Sequence, residues 1–108
     1  MNSTTASLNA LFSRIPRRHT ADNVKDINSI VTEFEDLLIS IEAENSFYEK
    51  NIPVFFDALE VIKATIKKSN ENKNSKKSKD SFFDEASGAL KDNMQDLITL
   101  YDDGSRTE

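Results

Sequence analysis

Apolar side chains recur every three or four residues in three stretches of the chain, and this spacing predicts amphipathic α-helices. The first stretch begins at Asp22, whose carboxylate is a suitable N-cap. Ile30 and Leu37 widen its apolar stripe, which favours contact with more than one neighbouring helix. The stripe, called the apolar seam below, alternates steps of three and four residues, as the a and d positions of a heptad repeat do: Val24, Ile27, Val31, Phe34, Leu38 and Ile41.

The same heptad register continues through Asn45, Tyr48 and Ile52. One helix could therefore extend from Asp22 to residue 51 and end before Pro53, because a residue preceding proline is disfavoured in the α conformation. The polar side chain of Asn45 would then occupy an a position, where it needs a polar partner. Alternatively, residues 44–46 break the helix and the heptad repeat ends before them.

Pro53 opens the second predicted helix at its preferred first-turn position. Apolar residues flank its main stripe at Val54, Ala58 and Val61. The stripe itself consists of Phe55, Leu59, Ile62 and Ile66. Because the turn at Pro53 is short, the first two helices should form an antiparallel hairpin over residues 22–69.

The third predicted helix covers residues 81–103, with Ser81 and Asp84 in capping-box spacing and Gly104 as its stop. Its apolar residues follow a helical period: Phe83, Ala86, Leu90, Met94, Leu97, Ile98 and Tyr101. No window shows the alternation typical of strands. We predict an all-α single domain, a three-helix bundle with a possible short extra helix at residues 6–15.

Two segments lie outside these helices. Residues 1–21 contain no acid and three arginines, a composition found in organelle transit peptides and equally in N-terminal arms. We expect an arm that docks on the bundle, with adhesion to a membrane as the alternative. Residues 70–80 are rich in Lys, Asn and Ser. Their apolar surface is too small to offset the conformational entropy lost on ordering, which predicts a disordered linker.

Composition narrows the possible chemistry. The chain has no Cys, one His and two Gly, which excludes thiol chemistry, thiolate metal sites and glycine-rich phosphate loops. The carboxylate pairs Glu33/Asp36 and Asp92/Asp96 lie on polar helix faces, where solubility explains them, and His19 should be exposed. We therefore expect no enzymatic activity, cofactor or metal. No apolar run approaches the length of a membrane span, so we expect a cytoplasmic protein.

Several apolar residues are candidates for partner binding. Phe56 is a large ring among charged residues, and Tyr48 continues the seam. The other candidates widen a stripe or lie at its margin: Ile30, Leu37, Phe82 and Leu100. The first helix would be about 43 Å long and the second about 25 Å, which leaves part of the seam uncovered. We therefore expect a non-catalytic protein–protein interaction module, such as an adaptor, a secretion-type chaperone or an assembly subunit. We expect a homodimer slightly more than a monomer.

Charge alternates in blocks and supports two alternatives. Residues 22–62 carry ten acids and two bases, whereas residues 63–79 carry seven bases and one acid, and the net charge is −5. An acidic face of Asp26, Glu33, Asp36 and Glu44 would suit an inhibitor or immunity-type protein that blocks a basic, nucleic-acid-binding surface. Weak nucleic-acid binding ranks third, because the basic run lacks arginine and aromatic residues: Lys67, Lys68, Lys73, Lys76, Lys77 and Lys79. We expect neither nucleic acid nor a membrane as the main partner.

Overall fold

The computed structural model is all-α, which confirms the predicted fold class. It describes the backbone of residues 3–107 and the side chains of residues 4–101, so residues 1 and 2 of the predicted arm lie outside the described residues. The helices follow one another in the order α1 (Ser3–Arg14), α2 (Ala21–Glu42), α3 (Ser46–Asn51), α4 (Pro53–Ser69) and α5 (Lys76–Thr107). None of these described helices is both long and apolar enough to span a membrane.

The four longer helices form a bundle in which each packs against two neighbours. Both α1 and α4 lie between α2 and α5, and α3 closes one end against α2, α4 and α5. The end of α4 lies beside the start of α5, where Lys68 Nζ is 5.8 Å from the ring centroid of Phe82. Val24 near the start of α2 likewise shares a surface hollow with Ile66 near the end of α4. These contacts make the packed neighbours antiparallel, as in an up-down-up-down bundle.

The N-terminal segment is part of this bundle. Leu8 of α1 is fully buried, and Leu11 and Ile15 are 3% and 7% exposed within the same core cluster as the apolar seam. Burial of such side chains from water is the dominant stabilising term in folding. The N-terminal segment therefore packs on the bundle, and α1 corresponds to the short extra helix that the sequence left possible at residues 6–15. Within residues 3–107 the bundle has four longer helices.

The first long helix begins earlier and ends sooner than the heptad pattern predicts. Thr20, rather than Asp22, is the N-cap of α2, and its hydroxyl oxygen accepts a hydrogen bond from the backbone N–H of Asn23 at 3.0 Å. Asn45 ends the continuous heptad repeat, because its side-chain oxygen accepts the backbone N–H of Tyr48 at 3.0 Å and caps α3. An asparagine satisfied locally in this way needs no partner from another helix. The prediction of one helix to residue 51 is wrong, and the predicted alternative, a helix break around Asn45, is confirmed. The break lies at residues 43–45, because Ser46 is already the first residue of α3.

The third predicted helix is longer at both ends. Its first turn is capped by Ser75, whose hydroxyl accepts the backbone N–H of Ser78 at 3.2 Å, and an ion pair joins Lys76 and Asp80 four residues apart. Residues 76–80 are therefore helical, not a disordered linker, and Ser81 is not a cap. The helix also continues past Gly104, since glycine lowers helix stability without forcing a stop.

The connection between α1 and α2 is attached to α5. Ser87 donates a hydrogen bond to the backbone carbonyl of Pro16 at 2.9 Å. The side chain of His19 is only 17% exposed, packs edge-on against Phe83 and lies 3.7 Å from an Asp80 carboxylate oxygen. The expectation of an exposed His19 is wrong, because the sequence does not reveal that α5 passes beneath this connection.

Candidate interaction surface on α4 and α5

Three large hydrophobic side chains are exposed among the described residues. Val54 and Val61 are 64% and 67% exposed on α4, and Ile39 is 55% exposed on α2. Ala58 lies between the two valines, so that the three residues follow the four-then-three spacing of one helix face. Ile39 stands apart from them, with Glu35, Asp36 and Glu42 at the neighbouring helical positions. Of the three exposed residues, the two on α4 therefore belong to a continuous apolar line.

This line borders a groove between α4 and α5. A hollow of about 430 Å³ lies between Ala58 and Val61 on one side and Ala89 and Asp96 on the other. A second hollow of about 320 Å³ shares Asp96 and continues to Val54 and Leu100. We define the α4–α5 face by eight residues that line the two hollows: Val54, Ala58, Val61, Ala89, Asp92, Asn93, Asp96 and Leu100.

The groove exists because two apolar stripes run side by side on α4. Phe55, Leu59 and Ile62 point into the core and are at most 7% exposed. Each residue of the outer line precedes one of these by a single position, about 100° around the helix. The packing of α5 covers the first stripe and reaches only the edge of the second, which leaves the valines in contact with water.

Polar groups of the α4–α5 face have few partners within the chain. Asp92 and Asp96 are exposed, and no ion pair or hydrogen bond joins either to another described side chain. The Nδ2 atom of Asn93 is inaccessible to water and has no hydrogen-bond partner in that same part of the chain. Asp57 is also exposed, three residues after Val54 and four before Val61. Carboxylates thus lie on both sides of the apolar line.

The candidates predicted from sequence fall into three groups. Leu100 lines the α4–α5 face, and Phe82 lies farther along the same side of α5 beneath Lys68. Ile30 and Tyr48 are 1% and 2% exposed, so their assignment to a partner surface is wrong. Both belong to the core cluster of the bundle, where the ring of Tyr48 stacks on Tyr101 of α5.

The two remaining candidates are half-buried elsewhere. Phe56 packs against the core two turns before Lys63, on the side of α4 that faces α2. Leu37 lines a separate groove between α1 and α2, together with Leu11 and Arg14. Neither belongs to the α4–α5 face.

The predicted acidic face, which runs along α2 and into the turn after it, is partly used within the chain. Glu33 pairs with Arg14 at 2.9 Å, and this hydrogen-bonded contact raises the pKa of the Arg14 guanidinium. Glu44 accepts a hydrogen bond from the hydroxyl of Tyr101 at 3.1 Å. Asp26 and Asp36 are exposed carboxylates of this group. The four residues therefore do not present four unpaired charges to a basic target.

The predicted basic run is also partly paired. Lys73 lies 3.2 Å from Glu71, Lys76 lies 3.2 Å from Asp80, and Lys68 covers the Phe82 ring. Lys67 and Lys77 are exposed, and Lys79 is half-buried within α5. Among the described residues, no group of three or more His, Cys, Asp or Glu side chains could hold a metal ion.

The valines of α4 are the residues that sequence reasoning missed. They appear in the sequence as flanks of a stripe already assigned to the core. The signal that could have identified them is the second line of apolar residues at positions 54, 58 and 61, parallel to the first. β-Branched residues at exposed helical positions are also unfavourable for helix formation, which points to a role in contact.

Comparison of the chain with protein-family models, with curated proteins and with solved structures finds no match.

Proposed function

We propose that this chain is a non-catalytic protein–protein interaction module that binds a partner through its α4–α5 face. The observation that carries the proposal is the exposure of Val54 and Val61 on one helix face, above a groove shared with α5. Contiguous apolar surface rimmed by polar residues is characteristic of interaction sites. The classes expected from the sequence, an adaptor, a secretion-type chaperone or an assembly subunit, all use such a surface.

The proposed surface differs from the apolar seam predicted from sequence. Phe34, Leu38 and Ile41 of the seam are fully buried inside the chain, so a partner could reach them only if the bundle opened. Opening would expose the core and cost much of the folding free energy. A partner that binds the α4–α5 face meets residues that are already accessible.

The expected homodimer loses its main basis in this arrangement. It relied on an uncovered part of the seam, whereas α1, α3 and α4 pack on α2 within one chain and the six seam residues are buried in its core. We propose that a single copy of the chain binds the partner.

Inhibition of a basic surface through α2 is the weaker candidate. Two of the four predicted carboxylates, Glu33 and Glu44, are engaged by Arg14 and Tyr101. An electrostatic inhibitor would also lose affinity steeply as salt screens its charges, whereas apolar contact would not.

Site-specific photo-crosslinking tests the proposal. A photoreactive amino acid replaces Val61 in the full chain, and the matched control carries it at Ile39, the exposed hydrophobic residue on α2. In lysate of the source cells, we expect one defined adduct from position 61 that is absent from position 39. The adduct should disappear when Val54→Asp is added, because Asp in the first turn of α4 favours the helix but removes apolar contact.

The opposite pattern contradicts the proposal. Adducts of equal yield from positions 61 and 39, or an adduct from 61 that survives Val54→Asp, would indicate contact outside the α4–α5 face. An adduct only from a probe at Asp36 would favour the inhibitor.

A further inference from the structure

We infer that the segment bound by the α4–α5 face is an amphipathic helix with Lys or Arg beside its apolar stripe. This inference rests on the proposed function and adds the chemistry of the partner. Three observations support it: the shape of the groove, the charge of the groove, and the kinds of partner that this charge disfavours.

The shape favours a helix. Two antiparallel helices leave a groove into which the side-chain ridges of a third helix can pack. The two hollows run from Val54 to Ile62 on α4 and from Ala89 to Leu100 on α5. The α5 side spans 11 residue steps, or about 16 Å, which about three turns of a partner helix would match. The partner needs small or medium apolar side chains every three or four residues to lie over Val54, Ala58 and Val61.

The charge favours a basic flank. Asp92 and Asp96 line the groove on the α5 side, and Asp57 borders it on α4. No basic residue is among those that line the two hollows. Lys68, two turns after Val61 on α4, lines neither hollow and lies over the Phe82 ring. Lysine and arginine have long apolar stems, so their cationic ends can reach these carboxylates while the stems cover the valines.

The same charges argue against other occupants. A second copy related by two-fold symmetry would bring its own Asp92 and Asp96 to this face, where like charges repel. An anionic lipid surface would be repelled by the same groups. Addition of a β-strand needs an open sheet edge, and the described part of the chain is helical with turns and contains no strand.

Fluorescence anisotropy with the full chain and three labelled 18-residue peptides tests the inference. The first peptide places Leu on one helix face and Lys on the other, the second replaces Lys by Glu, and the third shuffles the order of the first. We expect the first peptide to bind at least about tenfold more tightly than either other peptide, since only it combines the stripe with the charge.

Variants locate the binding. Val61→Asp and, separately, Val54→Asp should each weaken the Leu/Lys peptide about tenfold, because apolar contacts at the centre of an interface dominate its affinity. The double variant Asp92→Asn/Asp96→Asn should weaken it about fivefold and flatten its salt dependence. The matched control Ile39→Asp should change the affinity by less than about twofold, because it introduces the same charge outside the groove. Circular dichroism confirms that each variant is folded.

Several outcomes would overturn the inference. These are equal binding of the shuffled peptide, equal weakening by Ile39→Asp, and a stronger interaction with the Leu/Glu peptide. Concentration-dependent dimerisation that Val61→Asp abolishes would assign the face to a second copy. Binding to phosphatidylcholine/phosphatidylglycerol vesicles that Val61→Asp abolishes would assign it to a membrane.

If position 61 cross-links a partner but the Leu/Lys peptide fails, this inference fails while the proposed function stands. If position 61 gives no specific adduct, the proposed function itself fails.

Discussion

The hydroxyl of Tyr48 in α3 donates a hydrogen bond of 2.7 Å to the backbone carbonyl of Tyr101 in α5, 53 residues later. The two rings are stacked, with centroids 5.2 Å apart. This contact joins the short helix at the end of the bundle to the long C-terminal helix. The heptad pattern predicted that Tyr48 lies on a partner surface. In the structure the side chain of Tyr48 is buried and has a structural role within the chain.

Replacement of Tyr48 by Phe should therefore destabilise the protein by about 1 kcal/mol, since it removes a buried hydrogen bond and retains the ring. Urea denaturation at neutral pH measures the change, and an unaltered m-value would show that the unfolding transition itself is unchanged. Equal stability of the variant and the parent would contradict a contribution from this hydrogen bond.

The stability of a variant at Asn45 tests whether this residue is a helix cap or a heptad position. Because its side chain caps α3, Asn45→Leu should cost about 1 kcal/mol. In a continuous helix with an apolar a position, the same substitution would instead increase stability. Thr20→Ala, which removes the N-cap of α2, is the matched comparison and should cost a similar amount in the same denaturation experiment.

The sequence predicts the helical stripes well and their ends poorly. Phe34 and Leu59, for example, lie in stripes whose period alone assigns them to a core. At Asn45 the heptad position and the cap use the same residue, and only the local hydrogen bond to Tyr48 decides between them. At residues 76–80 a serine cap and a lysine–aspartate pair sustain a helix without apolar residues.

The α4–α5 face could also be predicted only in part, and the reason differs from the one that applies to the helix ends. Val54 and Val61 lie beside an equally apolar stripe on the same helix, and sequence period cannot say which stripe a neighbouring helix covers. That choice depends on how α5 packs across α4. Leu100 was predicted because it lies at the margin of a stripe, where burial is incomplete under any packing.

The docked position of α1 gives a third prediction. Leu8 is fully buried, so Leu8→Ala should destabilise the bundle by about 3 kcal/mol and lower the thermal midpoint by more than about 10 °C. Asn9→Ala, at an exposed position on the same helix, is the control and should have little effect. A midpoint unchanged by Leu8→Ala would mean that the N-terminal segment does not contribute to the core.

The ion pair between Lys63 and Glu35 predicts a small alkaline effect. The Lys63 ammonium donates to Glu35 Oε2 at 2.6 Å, and this hydrogen bond raises the pKa of Lys63 above its ordinary value of 10.5. A raised pKa in the folded state stabilises the protein below pH 10.5, and the contribution disappears as the pH rises through the raised value. Both side chains are about one-third exposed, so the contribution should stay below about 1 kcal/mol.

Urea denaturation of the parent and of Glu35→Gln at pH 8 and pH 11 tests this sign. The parent should be the more stable at pH 8, and the difference should shrink at pH 11. A difference that is equal or larger at pH 11 would contradict the assigned role of the pair.

The most direct measurement for the α4–α5 face is calorimetric titration of the purified protein partner that cross-links to position 61. The titration compares the parent chain with Val61→Asp and Ile39→Asp. We predict that Val61→Asp lowers the affinity about tenfold or more, whereas Ile39→Asp leaves it within about twofold. Equal affinities for all three chains, or an equal loss in both variants, would contradict binding through this face.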